Sequence, residues 1–138
     1  MKKVIFDTNI LIDWINDKQF EELIFENGTA KYLSSIVLME LMAGASGTED
    51  QKIIKKLHNT HKKAGRMVTP TETNYAEAGD ILLELQKTKG YDLKKSFTLT
   101  NDVLIALTAR SIGATLFTQN RKDFQAIREI KEFDLVAL

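Results

Sequence analysis

The stretch Lys3-Val4-Ile5-Phe6-Asp7-Thr8-Asn9 decides the fold, because a short apolar run stops abruptly at a carboxylate. The run Val4–Phe6 is β-branched and aromatic, which is typical of a buried strand. Thr8 or Asn9 can cap a helix that follows at once. The apolar side chains of that helix share one face, at Ile10, Leu11, Trp14 and Ile15. A strand that passes directly into a helix favours an α/β domain.

The same alternation continues along the chain. Short apolar runs predict strands at Val4–Phe6, Ala30–Leu33, Met67–Val68, Ala114–Phe117 and Phe133–Val136. Helical patterns lie between them, at Asp17–Phe25, Ser35–Met42, Glu49–Asn59, Thr71–Gly90, Thr100–Ser111 and Asp123–Ile130. Strands that alternate with helices predict one α/β domain over residues 1–138, with a mostly parallel central sheet. Ligands bind such sheets outside the carboxyl ends of the strands, where Asp7, Thr118 and Asn120 fall.

Composition excludes several classes of protein. The chain has 138 residues, of which 43% are hydrophobic and 28% charged, as in ordinary globular domains. It contains no cysteine, which excludes disulfides and thiolate metal sites and is compatible with a cytoplasmic location. No apolar stretch approaches the about 18 residues of a membrane span, so we expect no membrane association. With only two histidines, any metal site is expected to be built from oxygen ligands, which favours Mg²⁺ or Mn²⁺.

Three carboxylates border or interrupt apolar segments. Asp7 ends the first strand, Glu40 lies within the apolar run Ser35–Gly44, and Asp102 opens the apolar run that follows Asn101. Asp7 could be only a helix N-cap and Asp102 only a first-turn carboxylate. Taken together, the three favour a shared divalent cation, because carboxylates are rarely buried without a partner. Such a site can activate water for phosphodiester hydrolysis.

The chain resembles PIN-domain proteins and, within that family, the VapC ribonuclease toxins of toxin–antitoxin pairs. The matching motifs are Asp7-Thr8-Asn9-Ile10-Leu11, Ser35–Leu41 with Gly44, Asn101-Asp102 with Leu104-Ile105-Ala106, and Thr118–Phe124. They occur in the family's order and span nearly the whole chain. The resemblance implies a three-layer α/β/α fold and a Mg²⁺-dependent endoribonuclease, with Mn²⁺ as a substitute. It also implies a cognate antitoxin and a homodimer.

The resemblance further implies the roles of individual residues. Asp7, Glu40 and Asp102 would form the acidic core and ligate the metal, with Glu40 alternatively activating the attacking water. Many PIN domains have Asp where this chain has Asn120, and we take Asp123 as the fourth catalytic acid. Three neutral residues would orient the carboxylates or bound water: Thr8, Thr118 and Asn120.

Basic residues indicate where RNA could lie. The segment from Lys52 to Arg66 contains no Asp or Glu, so Lys55 and Lys56 either follow phosphates or form a solvated helix face. Arg121 and Lys122 follow the last motif and are the better phosphate ligands. Two alternatives remain at this stage. One is a PIN-type nuclease in RNA processing without an antitoxin, and the other is a catalytically degenerate module that binds RNA or protein.

Overall fold

The computed structural model describes residues 1–138, which form five strands and seven helices. The strands are β1 (Lys2–Phe6), β2 (Thr29–Ser34), β3 (Met67–Val68), β4 (Thr115–Thr118) and β5 (Asp134–Ala137). The helices are α1 (Thr8–Asp17), α2 (Glu21–Ile24), α3 (Ser35–Ala43), α4 (Thr48–Lys63), α5 (Glu72–Lys89), α6 (Leu99–Ser111) and α7 (Arg121–Ile130).

All five strands join one parallel sheet in the order β3-β2-β1-β4-β5. The predicted α/β fold with a parallel central sheet is confirmed. The chain moves outward from β1 to β3 and then returns to pair β4 with β1, so that Phe6 lies opposite Phe117. The strand order therefore reverses between β1 and β4. In open parallel sheets this reversal leaves a crevice at the carboxyl ends of the two strands, where ligands bind.

The core explains the longest apolar runs of the sequence. Val4, Ile5 and Phe6 of β1 are buried, and α6 is buried along almost its whole length from Leu99 to Ala109. A helix covered on all sides needs apolar residues on all sides, which accounts for the uninterrupted run Val103–Leu107. No helix of the structure combines the length and the apolar character that crossing a bilayer requires.

The prediction that Thr8 or Asn9 caps α1 is wrong. Asp7 is the N-cap residue, and its Oδ1 accepts a 2.8 Å hydrogen bond from the Thr8 backbone N–H. Thr8 is already helical, so β1 passes into α1 through a single residue. Asp7 therefore has the capping role that the sequence left open for it, and it also lies at the strand end.

The predicted helix Asp17–Phe25 is also wrong. Helix α1 continues through Asp17, and Lys18 and Phe20 then adopt left-handed backbone conformations with φ of 60° and 62°. These two residues break the helical path, so that only Glu21–Ile24 forms a helix. Such conformations are uncommon for residues other than glycine, and the sequence carries no signal for them.

Other elements lie close to their predicted positions. Strand β3 has the predicted bounds, and α5 begins with a capping box between Thr71 and Asn74. It ends at Gly90, whose φ of 69° favours glycine. Helices α4 and α7 are longer than predicted. The helical spacing of Tyr75, Ala78, Leu82 and Leu85 predicts that these side chains pack in the core, with a subunit interface as the alternative for part of them. Ala78 and Leu85 are buried, but Tyr75 is 55% exposed, so the core prediction is wrong at Tyr75.

Candidate active site

Four carboxylates from four separate elements meet at the carboxyl edge of the sheet. Asp7 follows β1, Glu40 lies on α3, and Asp102 and Asp123 lie in the first turns of α6 and α7. Asn120 Nδ2 lies within hydrogen-bond distance of both Asp102 and Asp123, and Asp7, Glu40 and Asp123 are close enough to Asp102 that each raises its pKa. The structure thus brings together all four acidic residues that the sequence singled out.

Asp7 is held at the point where β1 and β4 end. Its backbone N–H donates to the Phe117 carbonyl at 2.9 Å, and its Oδ2 accepts a 2.7 Å hydrogen bond from the Thr118 hydroxyl. Both Asp7 and Thr118 are buried. Burial raises the pKa of Asp7, the hydrogen bonds from Thr118 and Thr8 oppose that rise, and Glu40 adds to it.

Glu40 is the more accessible of the central carboxylates. The Thr8 hydroxyl donates to its Oε1 at 2.6 Å, and Asn101 Nδ2 donates to its Oε2 at 3.4 Å. The sequence suggested that Thr8 orients a carboxylate, and the structure places its hydroxyl on Glu40. The Asn101 contact was not predicted, although Asn101 stands beside Asp102 in the matching motif.

Asn120 connects the remaining carboxylates. Its Nδ2 lies 3.3 Å from Asp102 Oδ2 and 3.0 Å from Asp123 Oδ2, so that one amide nitrogen donates to both. Its backbone N–H donates to Thr118 Oγ1 at 2.9 Å, and Thr118 in turn donates to Asp7. Asn120 therefore links the positions of three carboxylates without adding a charge.

Tyr91 is a further site residue that sequence reasoning missed. It follows the end of α5, and its hydroxyl donates a 2.7 Å hydrogen bond to Asp123 Oδ1. Partial burial, with the nearby charges of Asp123 and Asp102, raises the pKa of Tyr91 to about 12, so that the phenol is a donor at neutral pH. A tyrosine just after a helix-ending glycine is the only sequence signal, and it is weak.

The electrostatics of the site fit a divalent cation. Burial and the neighbouring carboxylates raise the pKa of Asp102 to about 8. None of the four carboxylates forms an ion pair with Lys, Arg or His, and all their side-chain donors are neutral. A set of hard oxygen ligands with uncompensated charge is what Mg²⁺ prefers. In this structure no three His, Cys, Asp or Glu side chains are already arranged to hold a metal ion together.

The predicted RNA-binding residues fall in two places. Arg121 and Lys122 begin α7 directly after Asn120, and both are exposed. Lys55 and Lys56 are also exposed, but they lie on α4, which carries none of the four carboxylates, and they form no ion pair with them. Only the first pair therefore shares a helix turn with one of the four carboxylates, Asp123.

A second concave surface, the apolar groove, has a volume of about 590 Å³. Helices α1, α2 and α4 and strand β2 contribute its main lining residues, which include Leu11, Trp14, Ile15, Phe25, Tyr32 and Leu57. Two buried side-chain polar atoms of the chain have no hydrogen-bond partner, Trp14 Nε1 and Thr29 Oγ1, and both residues line this groove. Lys18, Lys31, Lys56 and Arg66 also line it, against the single acid Glu26.

A family model described as "PIN domain" matches residues 4–130, which include all four carboxylates. The chain belongs to the PIN domain family. The match runs from within β1 to the end of α7, so that it includes four of the five strands and the whole acidic edge. A comparison with curated proteins gives no match.

Solved structures similar to this PIN domain include two VapBC complexes. VapBC2 from Rickettsia felis, bound to a DNA fragment from its promoter, has a chain with 27% identity and a TM-score of 0.69. That match covers 99% of this chain and 98% of the other. VapBC-1 from nontypeable Haemophilus influenzae gives 25% identity and a TM-score of 0.69, over 98% and 97% of the two chains. These likenesses extend over the whole PIN domain rather than over its motifs alone.

Proposed function

We propose that this PIN domain is a Mg²⁺-dependent endoribonuclease and the toxin of a toxin–antitoxin pair. One observation carries the proposal: four carboxylates from separate elements converge at the carboxyl edge of the sheet, and none of them forms an ion pair with a Lys, Arg or His side chain. A module that only bound RNA would gain nothing from concentrated negative charge facing phosphates. The likeness to chains of VapBC complexes supports the toxin assignment.

The residues divide the work according to their surroundings. Asp7 and Asp102 are buried and fixed, and we assign them to hold the cation together with Glu40. A bound Mg²⁺ supplies charge stabilisation at the phosphate and makes water more acidic. Glu40 is less buried and accepts hydrogen bonds only from Thr8 and Asn101, so it is suited to take a proton from attacking water. Asp123 adds a fourth negative charge to the site, and its hydrogen bond from Asn120 holds it there.

The RNA backbone would approach the acidic edge beside α7. Arg121 and Lys122 are exposed in the first turn of that helix, where their charges can offset the repulsion between phosphates and the carboxylates. Lys55 and Lys56 would act only on a longer RNA, because they lie on a different helix. Reversal of the charges at Arg121 and Lys122 should therefore raise KM for short substrates more than reversal at Lys55 and Lys56 does.

Cleavage of RNA by the purified, partner-free chain tests the function. Total RNA is incubated with Mg²⁺, with Mn²⁺ and with EDTA, using wild type and Asp7→Asn. The matched control is Asp134→Asn, an exposed carboxylate at the start of β5, the opposite end of the strand from the site. Cleavage that needs the metal and Asp7 but not Asp134 supports the proposal. Metal-independent cleavage, or none by a folded protein, contradicts it.

The apolar groove is the surface that we assign to the antitoxin. Its aromatic lining and the unpartnered Trp14 Nε1 suit a segment that supplies apolar side chains and a hydrogen-bond acceptor. Its excess of Lys and Arg over the single Glu26 suits acidic residues on that segment. We therefore propose an apolar segment of the antitoxin, flanked by carboxylates, as the occupant.

A binding measurement with the protein encoded beside this chain tests the groove. We expect Trp14→Ala and the double reversal Lys56→Glu/Arg66→Glu to weaken the complex. The control reversal Lys122→Glu, outside the groove, should leave it unchanged. If the groove variants bind as tightly as wild type, the assignment is wrong, whereas the nuclease proposal depends only on the cleavage assay. A nuclease with no partner at all would instead support the RNA-processing alternative.

We also propose that the protein is a homodimer. Met39 and Met42 lie three residues apart on α3 and are 51% and 55% exposed, so that they present an apolar strip to solvent. A second copy that covers this strip would remove it from water. Light scattering of wild type and of Met39→Lys/Met42→Lys should show a dimer and a monomer, respectively. A wild-type monomer would refute the assignment.

A further inference from the structure

The connection between α5 and α6 reaches the acidic site at its beginning, where the Tyr91 hydroxyl donates to Asp123. At its end Thr98 is the N-cap residue of α6, and its carbonyl accepts the first backbone hydrogen bond of that helix, from the Asp102 N–H at 2.9 Å. Within the connection, the backbone N–H groups of Lys95 and Ser96 both donate to the Asp92 carbonyl, which closes a compact turn. The Tyr91 backbone N–H donates to the Leu85 carbonyl at 3.3 Å, which holds Tyr91 against the end of α5.

The two oxygens of Asp123 are committed to different partners. Oδ1 accepts from the Tyr91 hydroxyl at 2.7 Å, and Oδ2 accepts from Asn120 Nδ2 at 3.0 Å. A carboxylate held at both oxygens by neutral donors cannot rotate freely. Because the same Asn120 nitrogen also lies 3.3 Å from Asp102 Oδ2, the orientation of Asp123 is passed on to Asp102.

We propose that Tyr91 is a positioning residue that fixes Asp123 and, through Asn120, the metal-holding carboxylate Asp102. The inference rests on the proposed metal-dependent function. Tyr91 does not touch the cation in this scheme. Its hydroxyl restricts the rotation of Asp123 and Asn120 before the cation binds. The entropy cost of ordering these side chains is then not subtracted from the free energy of metal binding. Neutral groups that orient metal ligands in this way typically contribute about tenfold or more to metal affinity.

Titration calorimetry with Mg²⁺ alone tests the proposal without any RNA. We expect Tyr91→Phe, which removes only the hydroxyl, to weaken Mg²⁺ binding by about tenfold. Tyr75→Phe is the matched control, because Tyr75 is exposed on α5 and its hydroxyl has no hydrogen bond. It should bind Mg²⁺ as wild type does.

A double-mutant cycle with Asp123→Ala separates positioning from a general structural effect. If Tyr91 acts through Asp123, Tyr91→Phe should cause no further loss of Mg²⁺ affinity when Asp123 is already Ala. The same loss in both backgrounds, or wild-type affinity for Tyr91→Phe alone, overturns the proposal. Thermal unfolding without metal checks that all variants are folded.

Cleavage assays on the same variants distinguish the two proposals. RNA cleavage by wild type together with unchanged Mg²⁺ affinity in Tyr91→Phe would refute the role of Tyr91 and leave the nuclease function standing. Coupled Mg²⁺ binding without RNA cleavage would support the role of Tyr91 and refute the nuclease function. A wild type that binds no Mg²⁺ would refute both.

Discussion

The Thr118 hydroxyl donates a 2.7 Å hydrogen bond to Asp7 Oδ2, and this contact joins the last residue of β4 to the residue that follows β1. Both side chains are buried, so water cannot replace the bond if it is lost. The bond therefore has two effects. It connects the ends of β1 and β4, where the strand order reverses, and it gives the buried Asp7 carboxylate a hydrogen-bond donor.

Replacement of Thr118 by Val keeps the shape of the side chain and removes the donor. The loss of a hydrogen bond to a buried carboxylate costs about 1–3 kcal/mol, so we expect the free energy of unfolding to fall by that amount. We also expect weaker Mg²⁺ binding, because Asp7 would be free to turn. Urea unfolding and calorimetry measure the two effects. Thr73→Val, at an exposed position in the first turn of α5, is the control that should change neither.

Asp102→Asn should stabilise the metal-free protein at alkaline pH. The pKa of Asp102 is raised from 3.8 to about 8 in the folded state, chiefly by burial and then by the neighbouring carboxylates. The folded state therefore binds a proton that the unfolded state has lost, and wild type should lose stability as the pH rises from about 4 to 8. The substitution removes the charge and should raise the free energy of unfolding at pH 8 by about 2–4 kcal/mol.

Urea unfolding of wild type and Asp102→Asn in EDTA, from pH 5 to pH 8.5, measures this difference. Asp134→Asn serves as the comparison, because Asp134 is exposed at the other end of the sheet. The two Asn variants should diverge as the pH rises. If they keep the same offset from wild type at every pH, Asp102 does not have the raised pKa described above.

His61 should make the free energy of unfolding depend on pH in the opposite direction to Asp102. Burial lowers its pKa below 6.5, and Arg66 and His58 lower it further, against the effect of the hydrogen bond to the Leu57 carbonyl. Below about pH 6.5 the unfolded chain then binds more protons than the folded one, so stability is lost as the pH falls. His61→Gln should unfold with a smaller loss between pH 7 and pH 5 than wild type. The slope of His58→Gln, compared in the same experiment, should stay closer to that of wild type.

Phe124 should be essential for stability. It is fully buried on α7, one residue after Asp123. Phe124→Ala leaves a large cavity and should lower the free energy of unfolding by about 3–5 kcal/mol, whereas Phe124→Leu should cost less. Thermal and urea unfolding compare the two. An equal and small loss in both variants would mean that α7 does not rely on this side chain to pack against the sheet.

The sequence predicts the strands and the acidic site well for one physical reason. Buried strands need β-branched and aromatic runs, and a carboxylate that interrupts such a run needs a special reason to be there, so Val4–Phe6 and Asp7 both stand out. The capping signals at Thr71 and Gly90 are equally local, and the structure uses both.

What the sequence did not predict depends on contacts between distant segments. The left-handed residues Lys18 and Phe20 have no local signature, and the side chain of Tyr91 meets Asp123 across 32 residues. Tyr75 fits the helical period of α5 but is exposed, because Asn74 and Ile81 are the residues that face the core instead. Periodicity identifies a helix, but only the neighbouring elements determine which face of it is covered.

The pairing of β1 with β4 also has a consequence for the timing of synthesis. The Asp7–Thr118 contact spans 111 positions, and Asn120 and Asp123 come later still. The acidic site therefore cannot form on the ribosome until β4 and the start of α7 have emerged, although Asp7 is made more than 100 residues earlier. If the chain is the toxin that we propose, an interrupted translation product that ends before β4 is harmless to the cell that makes it.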